Sequence, residues 1–229
     1  MLQWDKPKES TIQFHKFIEQ NLQKSSKVAD LGCGAGASTH FIAERNPKCE
    51  FLGIDQDPKL IEIAREAKAN RTNTQNMEFA VGDCFNLSKF SKSSFEGVLS
   101  MQTLSWLDSW KVPMQEIYLN LDPNWVAISS LFYPGDISAQ IKISEPVRDR
   151  FTNYNVISIK EFDKHAKHFG FQVQHFEKFE IPIQIPKPLD EDIMGTYTLR
   201  VTEESGESNI QISGPILMPW FFILVERKN

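Results

Sequence analysis

The run Asp30-Leu31-Gly32-Cys33-Gly34-Ala35-Gly36 constrains this chain more than any other feature, because of what flanks it. Lys27–Leu31 is a short apolar stretch that reads as a strand. Ala37–Arg45 has the apolar spacing of a helix and stops at Asn46-Pro47, where proline discourages continuation. Glycines between a strand and a helix let the chain turn sharply and let a ligand approach the backbone without meeting a Cβ. The helix that follows offers free N–H groups to a carboxylate or phosphate. A strand, a glycine loop and a helix in that order predict an open parallel sheet, whose ligands bind beyond the carboxyl ends of the strands.

The rest of the chain extends the pattern. Ser10-Thr11-Ile12-Gln13 reads as a capping box opening an N-terminal helix. Glu50–Asp55 is a second strand, and Asp57-Pro58 starts a helix, with aspartate at the cap and proline in the first turn. Met77–Val81, Gly97–Met101 and Val126–Phe132 are further strands; a helix is expected from Asp108 through Leu119, and Ser158–Glu161 is another capping box. Alternation of strand and helix argues for a parallel sheet covered on both faces. Beyond Gly170 the pattern changes: Phe171–Ile181, Thr196–Val201, Asn209–Ser213 and Trp220–Arg227 all read as extended, with a turn at Glu204-Ser205-Gly206. This last quarter is expected to be antiparallel and to join the same sheet. No repeat or linker stands out in the 229 residues, so one domain is expected. Its parts are an N-terminal helix (1–24), a ligand-binding half (25–132), a lid (133–158), and a C-terminal helix with antiparallel strands (159–229).

The glycine spacing alone suits several nucleotide-like ligands. Gly32 to Ala37 even fits the dinucleotide fingerprint, so a nicotinamide dehydrogenase is one reading. Asp55, followed by Gln56, closes the second strand about twenty residues after the loop, where an acid accepts both ribose hydroxyls. Asp83 closes the third strand ahead of Cys84, placed to accept from the exocyclic amine of adenine. Asp30 adds negative charge in front of the loop. A pyrophosphate disfavours that charge; a sulfonium with an α-ammonium group favours it.

Val28–Gly36 resembles motif I of the class I S-adenosylmethionine-dependent methyltransferases. Phe51–Asp55 resembles the family's acidic second strand, and Gly82-Asp83 its adenine-contacting aspartate. Ser100–Leu107 is similar to the strand-four ending of the small-molecule branch. The resemblance is most specific from about residue 25 to 135. It implies an α/β, Rossmann-like fold with a seven-stranded, mostly parallel sheet, helices on both faces and an antiparallel C-terminal hairpin. It also implies S-adenosylmethionine as donor and S-adenosylhomocysteine as product. The expected cofactor-binding set is Asp30, Gly32, Cys33, Gly34, Gly36, Asp55, Gln56, Asp83, Cys84 and Gln102. One departure is the turn before strand five, Leu121-Asp122-Pro123-Asn124-Trp125, where relatives carry Pro-Gly-Gly; Asn124 is its residue most tolerant of positive φ.

Methyl transfer needs a nucleophile held on the methyl axis and water kept out; a general base helps only when the nucleophile carries a proton. The acceptor is expected over the ends of strands four and five, against Ser105, Trp106, Tyr133 and Arg148. Arg148 could clamp a carboxylate or stand on a solvated face. His15, His40 and Tyr133 are the candidate bases. His165 and His168 are three residues apart but lack a third ligand nearby, so no metal is expected. Cys33 and Cys84 read as small apolar packers. The Asn/Asp-Pro-Pro-Tyr/Phe signature of amino-group nucleic-acid enzymes is absent, and the net charge is -5 without a dense basic cluster. The expected acceptor is therefore a small molecule rather than nucleic acid. A module that binds the donor without turnover is the alternative. No apolar leader or membrane span is read, and three scattered cysteines suit a reducing cytoplasm.

Overall fold

The computed structural model describes residues 2–91, 94–146, 149–189, 194–203 and 206–228. The chain opens with α1 (Leu2–Asp5) and α2 (Glu9–Leu22), then β1 (Lys27–Leu31), α3 (Ala37–Arg45), β2 (Glu50–Asp55), α4 (Pro58–Ala69) and β3 (Met77–Val81). It continues through β4 (Gly97–Met101), α5 (Lys111–Glu116), β5 (Trp125–Tyr133), β6 (Ala139–Glu145), β7 (Arg150–Ser158), α6 (Ile159–His168) and β8 (Phe171–Lys178). Four strands finish it: β9 (Thr196–Glu203), β10 (Gly206–Ser213), β11 (Ile216–Leu217) and β12 (Trp220–Arg227).

Among the described residues the main sheet has nine strands: seven follow one another in the order β3-β2-β1-β4-β5-β12-β8, and β6 and β7 branch from β5. The first five pair in parallel, and β12 runs antiparallel to both its neighbours. The order reverses between β1 and β4, so the loops after these two strands leave on opposite sides and open a crevice at their carboxyl ends. The glycine loop follows β1 and the Gln102–Leu107 turn follows β4. The fold therefore presents these two segments to one site.

Both faces of the sheet are covered. Along β12, Trp220, Phe222 and Leu224 pack on one side and Phe221, Ile223 and Val225 on the other. A strand so placed reads as a continuous apolar run instead of an alternating one. Phe14, Ile18 and Leu22 of α2, Phe41 and Ile42 of α3 and Ile61 of α4 cover the first face. Trp110, Met114 and Ile117, with Phe162 and Ala166 of α6, cover the second.

Two expected helix starts are present: the Asp57 carboxylate accepts from the Lys59 N–H at 2.8 Å, and the Ser158 hydroxyl accepts from the Glu161 N–H at 3.2 Å. Elsewhere the structure corrects the reading. The cap of α2 is Lys8, and Ser10 is buried inside the helix. The helix expected from Asp108 begins at Lys111, because residues 104–106 form a tight 3-10 turn that uses up the chain before it. Helical chain then continues through a π-helical turn, Ile117–Leu121, and ends with Asp122 at φ 48. Asp122, not Asn124, is thus the left-handed residue of that turn, and an Arg227 guanidinium pairs with its carboxylate.

The C-terminal quarter does not all join the main sheet. β8 and β12 do, but β9, β10 and β11 form a separate antiparallel sheet inserted between them. The expected turn at Glu204 and Ser205 lies outside the described residues. Residues 139–158 form the β6–β7 hairpin, whose second strand pairs with the end of β5. Among the described residues, no helix is long and apolar enough to cross a membrane.

Candidate donor and acceptor site

β2 holds the glycine loop in place. The Gly32 and Cys33 N–H groups both donate to the Ile54 carbonyl, at 2.8 and 3.2 Å. One Asp55 carboxylate oxygen accepts from the Gly34 N–H at 2.8 Å, and the other accepts from the Asp57 N–H at 3.0 Å. Each carboxylate oxygen has a second lone pair, so Asp55 can still accept a pair of hydroxyl donors.

The three glycines of the loop, all at positive φ, do different work. A Cβ on Gly32 would lie 2.2 Å from the Thr103 hydroxyl, and one on Gly36 would lie 2.6 Å from the Phe79 ring. These two are demanded by packing. A Cβ on Gly34 would meet nothing within 4 Å. At Gly34 the backbone faces open space, the condition a ligand needs to approach it.

Asp30 is enclosed at 1% exposure. One of its oxygens accepts from the Thr39 hydroxyl at 2.6 Å, and the other, Oδ1, has no partner. Burial, opposed by the Thr39 hydrogen bond and reinforced by the Asp55 charge, pushes its carboxyl up to about 6. Asp30 lies behind the cleft beside Gly32 and Asp55, not in its lining, and a buried carboxylate with an unused oxygen lacks the cation or donor that would offset its burial. This arrangement fits the α-ammonium group of S-adenosylmethionine.

Gly32, Asp55, Gln56 and Cys84 line one cleft together with Leu31, Ile54, Gly82, Thr103 and Leu107. Asp83 stands exposed at the end of β3, its carboxylate accepting from the Phe85 N–H at 2.9 Å. Cys33 faces inward, close to Gly53, and burial raises its thiol far above the ordinary range. Burial likewise pushes the Cys84 thiol up to about 11. Neither is activated as a nucleophile.

A second cavity, of about 480 Å³, lies on the other side of the turn after β4. Gln102 and Trp106 line it, whereas Thr103 and Leu107 line the first cleft, so this turn is a wall common to both. Gln102 sits at φ 55 and takes a contact from the Lys8 ammonium at 3.5 Å. Tyr154 of β7 meets the Trp106 ring edge-on, with centroids 4.5 Å apart.

Other candidates lie elsewhere. Ser105 is fully buried: its hydroxyl shares a hydrogen bond with Ser130 and accepts from the Leu131 N–H at 2.9 Å, so it braces the β4–β5 junction. Tyr133 is 45% exposed beside Gly135 and does not line the cavity. His15 is held by the Asn46 amide at 3.0 Å and packs edge-on against Phe41. His40 stacks on Trp4 at 4.5 Å, and the Trp4 indole donates to the Ala35 carbonyl at 2.8 Å, which fastens α1 onto the glycine loop. Burial lowers the pKa of both histidines. Arg148 lies outside the described residues. The sequence reading missed the C-terminal side of the second cavity, including Phe179, Ile181, Ile183, Met194 and Trp220. The alternating Ile181-Pro182-Ile183-Gln184-Ile185-Pro186 run was the available signal, an apolar period of two outside the main sheet.

Comparison with known proteins agrees with the geometry. A family model described as a methyltransferase domain matches residues 22–180. Trans-aconitate 2-methyltransferase of Deinococcus radiodurans is 32% identical over 101 residues, covering 44% of this chain and 36% of that protein. Phosphoethanolamine N-methyltransferase 1 of Arabidopsis thaliana is 24% identical over 157 residues, covering 68% of this chain and 31% of that protein. The chain thus spans about a third of the length of these curated relatives. A solved S-adenosylmethionine-dependent methyltransferase from Methanosarcina mazei superposes with a TM-score of 0.64 at 17% identity, covering 93% of this chain and 97% of the other. The chain belongs to the class I S-adenosylmethionine-dependent methyltransferase family.

Proposed function

We propose that this chain transfers a methyl group in line from S-adenosylmethionine to a small-molecule acceptor. The observation that carries the reading is Asp30, a buried carboxylate with an unused oxygen next to a loop whose central glycine faces open space. Asp30 would hold the ammonium end of the donor, Asp55 the ribose hydroxyls, and Gln56, Asp83 and Cys84 the adenine end. Bound S-adenosylmethionine supplies a methyl group already activated by the sulfonium charge.

What remains for the protein is to orient an acceptor and exclude water. Gln102 and Trp106 stand between the donor cleft and the larger cavity, which suits that role. Holding the acceptor in line there replaces a bimolecular encounter with a pre-positioned one. His15 and His40 are engaged in packing and line neither cavity, so neither is placed to serve as the base. The reading therefore favours an acceptor atom with a free lone pair at neutral pH. The charge of -5 and the names of relatives such as trans-aconitate 2-methyltransferase support a small acceptor.

The test is incubation with methyl-labelled S-adenosylmethionine and a small-molecule extract, followed by chromatography. A labelled low-mass product is expected. Tight binding of S-adenosylhomocysteine with no labelled product would replace this reading with a non-catalytic donor-binding module.

A further inference from the structure

The larger cavity identifies the kind of acceptor, an inference resting on the methyl-transfer reading. Its walls come from three places. The family core supplies Gln102, Trp106, Tyr154 and Phe179. The first turn of α2 supplies Lys8, Glu9 and Ser10. The remaining wall comes from residues 181–220: the 181–185 run, β9 and β10 of the inserted sheet, and Trp220 at the start of β12. The second and third walls lie outside residues 22–180, where the family model matches. The lining of the first cleft falls wholly within the matched residues, whereas most of the larger cavity's lining falls outside them.

The inserted sheet is a built wall. The Asn209 amide of β10 donates to the Ile181 carbonyl at 3.1 Å. The Ile185 N–H donates to the Thr198 hydroxyl at 2.8 Å, and the Thr198 N–H to the Ile185 carbonyl at 3.0 Å. These bonds tie the 181–185 run to β9 and β10. The run presents Ile183 to the cavity at 57% exposure. An aliphatic side chain left that open in a concave wall is surface that a ligand can cover.

Aromatic rings, isoleucines and methionines make up about half of the lining, and uncharged polar side chains such as Thr196, Gln211 and Ser213 most of the rest. Among the described residues its only formal charges are Lys8 and Glu9, of opposite sign and adjacent in the chain. A polyanion would bring several charges into a wall with a single cation, and the unpaired ones would be strongly penalised. One polar group in the lining also lacks a partner. Trp220 is 4% exposed, and its indole Nε1 donates to nothing. A buried indole N–H usually finds an acceptor.

We propose that the methyl acceptor is a ring-containing molecule that carries an oxygen-bearing polar group and no more than one negative charge, and that the β9–β10 strands with the 181–185 run select it. This acceptor differs in kind from the tricarboxylate named by the Deinococcus relative.

Two probes separate these chemistries: 2-naphthoate, with a two-ring apolar body and one carboxylate, and tricarballylate, compact with three. Each is titrated into the full chain saturated with S-adenosylhomocysteine, followed by calorimetry and tryptophan fluorescence. Saturable binding is expected for 2-naphthoate and none for tricarballylate. Ile183→Asp, at an exposed position, should weaken 2-naphthoate by about tenfold or more, because it puts a charge against the apolar body. Trp220→Phe should weaken it by about threefold or more through loss of the indole N–H alone. The affinity for S-adenosylhomocysteine should stay within about twofold in both variants. The proposal is overturned if 2-naphthoate does not saturate, if tricarballylate binds as well, or if Ile183→Asp leaves 2-naphthoate binding unchanged. Failure of S-adenosylhomocysteine to bind the unaltered chain would instead sink the methyl-transfer reading.

Discussion

The cavities on the two sides of the Gln102–Leu107 turn are built in opposite ways. The proposed donor cleft is set by backbone at strand ends: Gly32 of the glycine loop, the ends of β1 and β2, Gly82 after β3 and the turn after β4 line it. Its parts come from the loops after successive parallel strands, between residues 31 and 107, and sit where the sheet order reverses. The proposed acceptor cavity is made of side chains gathered from residues 8 to 220. A site at strand ends is specified by where the chain must turn. A site made of assembled side chains can change its ligand without changing the fold.

The contrast can be broken most severely at Gly36. If its role is packing against Phe79, Gly36→Val should cost about 3–5 kcal/mol, from overpacking together with a β-branched residue at positive φ. Urea denaturation would show it as a fall in midpoint at unchanged slope. A stability loss below about 1 kcal/mol would mean that the Phe79 contact is not what requires this glycine.

The next effect belongs to Asp30 and depends on pH. Its carboxyl is raised from an ordinary 3.8 to about 6, so the folded chain binds this proton more tightly than the unfolded one. Stability from this group is therefore full below pH 4, falls between about pH 4 and 6, and is flat above. Asp30→Asn should abolish that fall. At pH 7 it should stabilise the ligand-free chain by up to about 3 kcal/mol, since about two pKa units are removed. Its affinity for S-adenosylhomocysteine should drop at the same time. Parallel pH–stability curves for the two proteins would contradict the assignment.

A smaller effect is expected at Asp55. Asp55→Ala removes the acceptor for the Gly34 N–H and the proposed ribose contact, and should weaken S-adenosylhomocysteine by about 1.5–3 kcal/mol in calorimetry. Unchanged affinity would move the ribose elsewhere.

How much of this could be read from the sequence follows from the same contrast. Lys27–Leu31, Ala37–Arg45, Glu50–Asp55 and Met77–Val81 stand as expected, because each is fixed by a local period and a local stop. The positions of the glycine loop and of Asp55 at strand ends were legible, whereas the hydrogen bond by which Asp55 holds the Gly34 N–H was not. Ser105 misled because the residue after a strand can face the ligand or brace the next strand, and only the Ser130 contact decides. The inserted sheet was hidden for a related reason. β9, β10 and β12 are all extended, and extended chain does not state which sheet it joins until its partners are known. Trp220 and Ile183 are separated by residues 184–219, so no local pattern announces that they share a cavity.

The central claim, that the Asp30–Gly36 loop is a donor site for S-adenosylmethionine, is tested most directly by calorimetric titration of the unaltered chain and Gly34→Val with S-adenosylhomocysteine and with NADH. The unaltered chain should bind S-adenosylhomocysteine and not NADH. Gly34→Val should lose that binding by about a hundredfold or more, since its side chain would fill the open face of the loop. Its melting temperature should fall by only about 3–8 °C, the strain of one residue at positive φ. Binding of NADH in preference, or full affinity retained by Gly34→Val, would contradict the account.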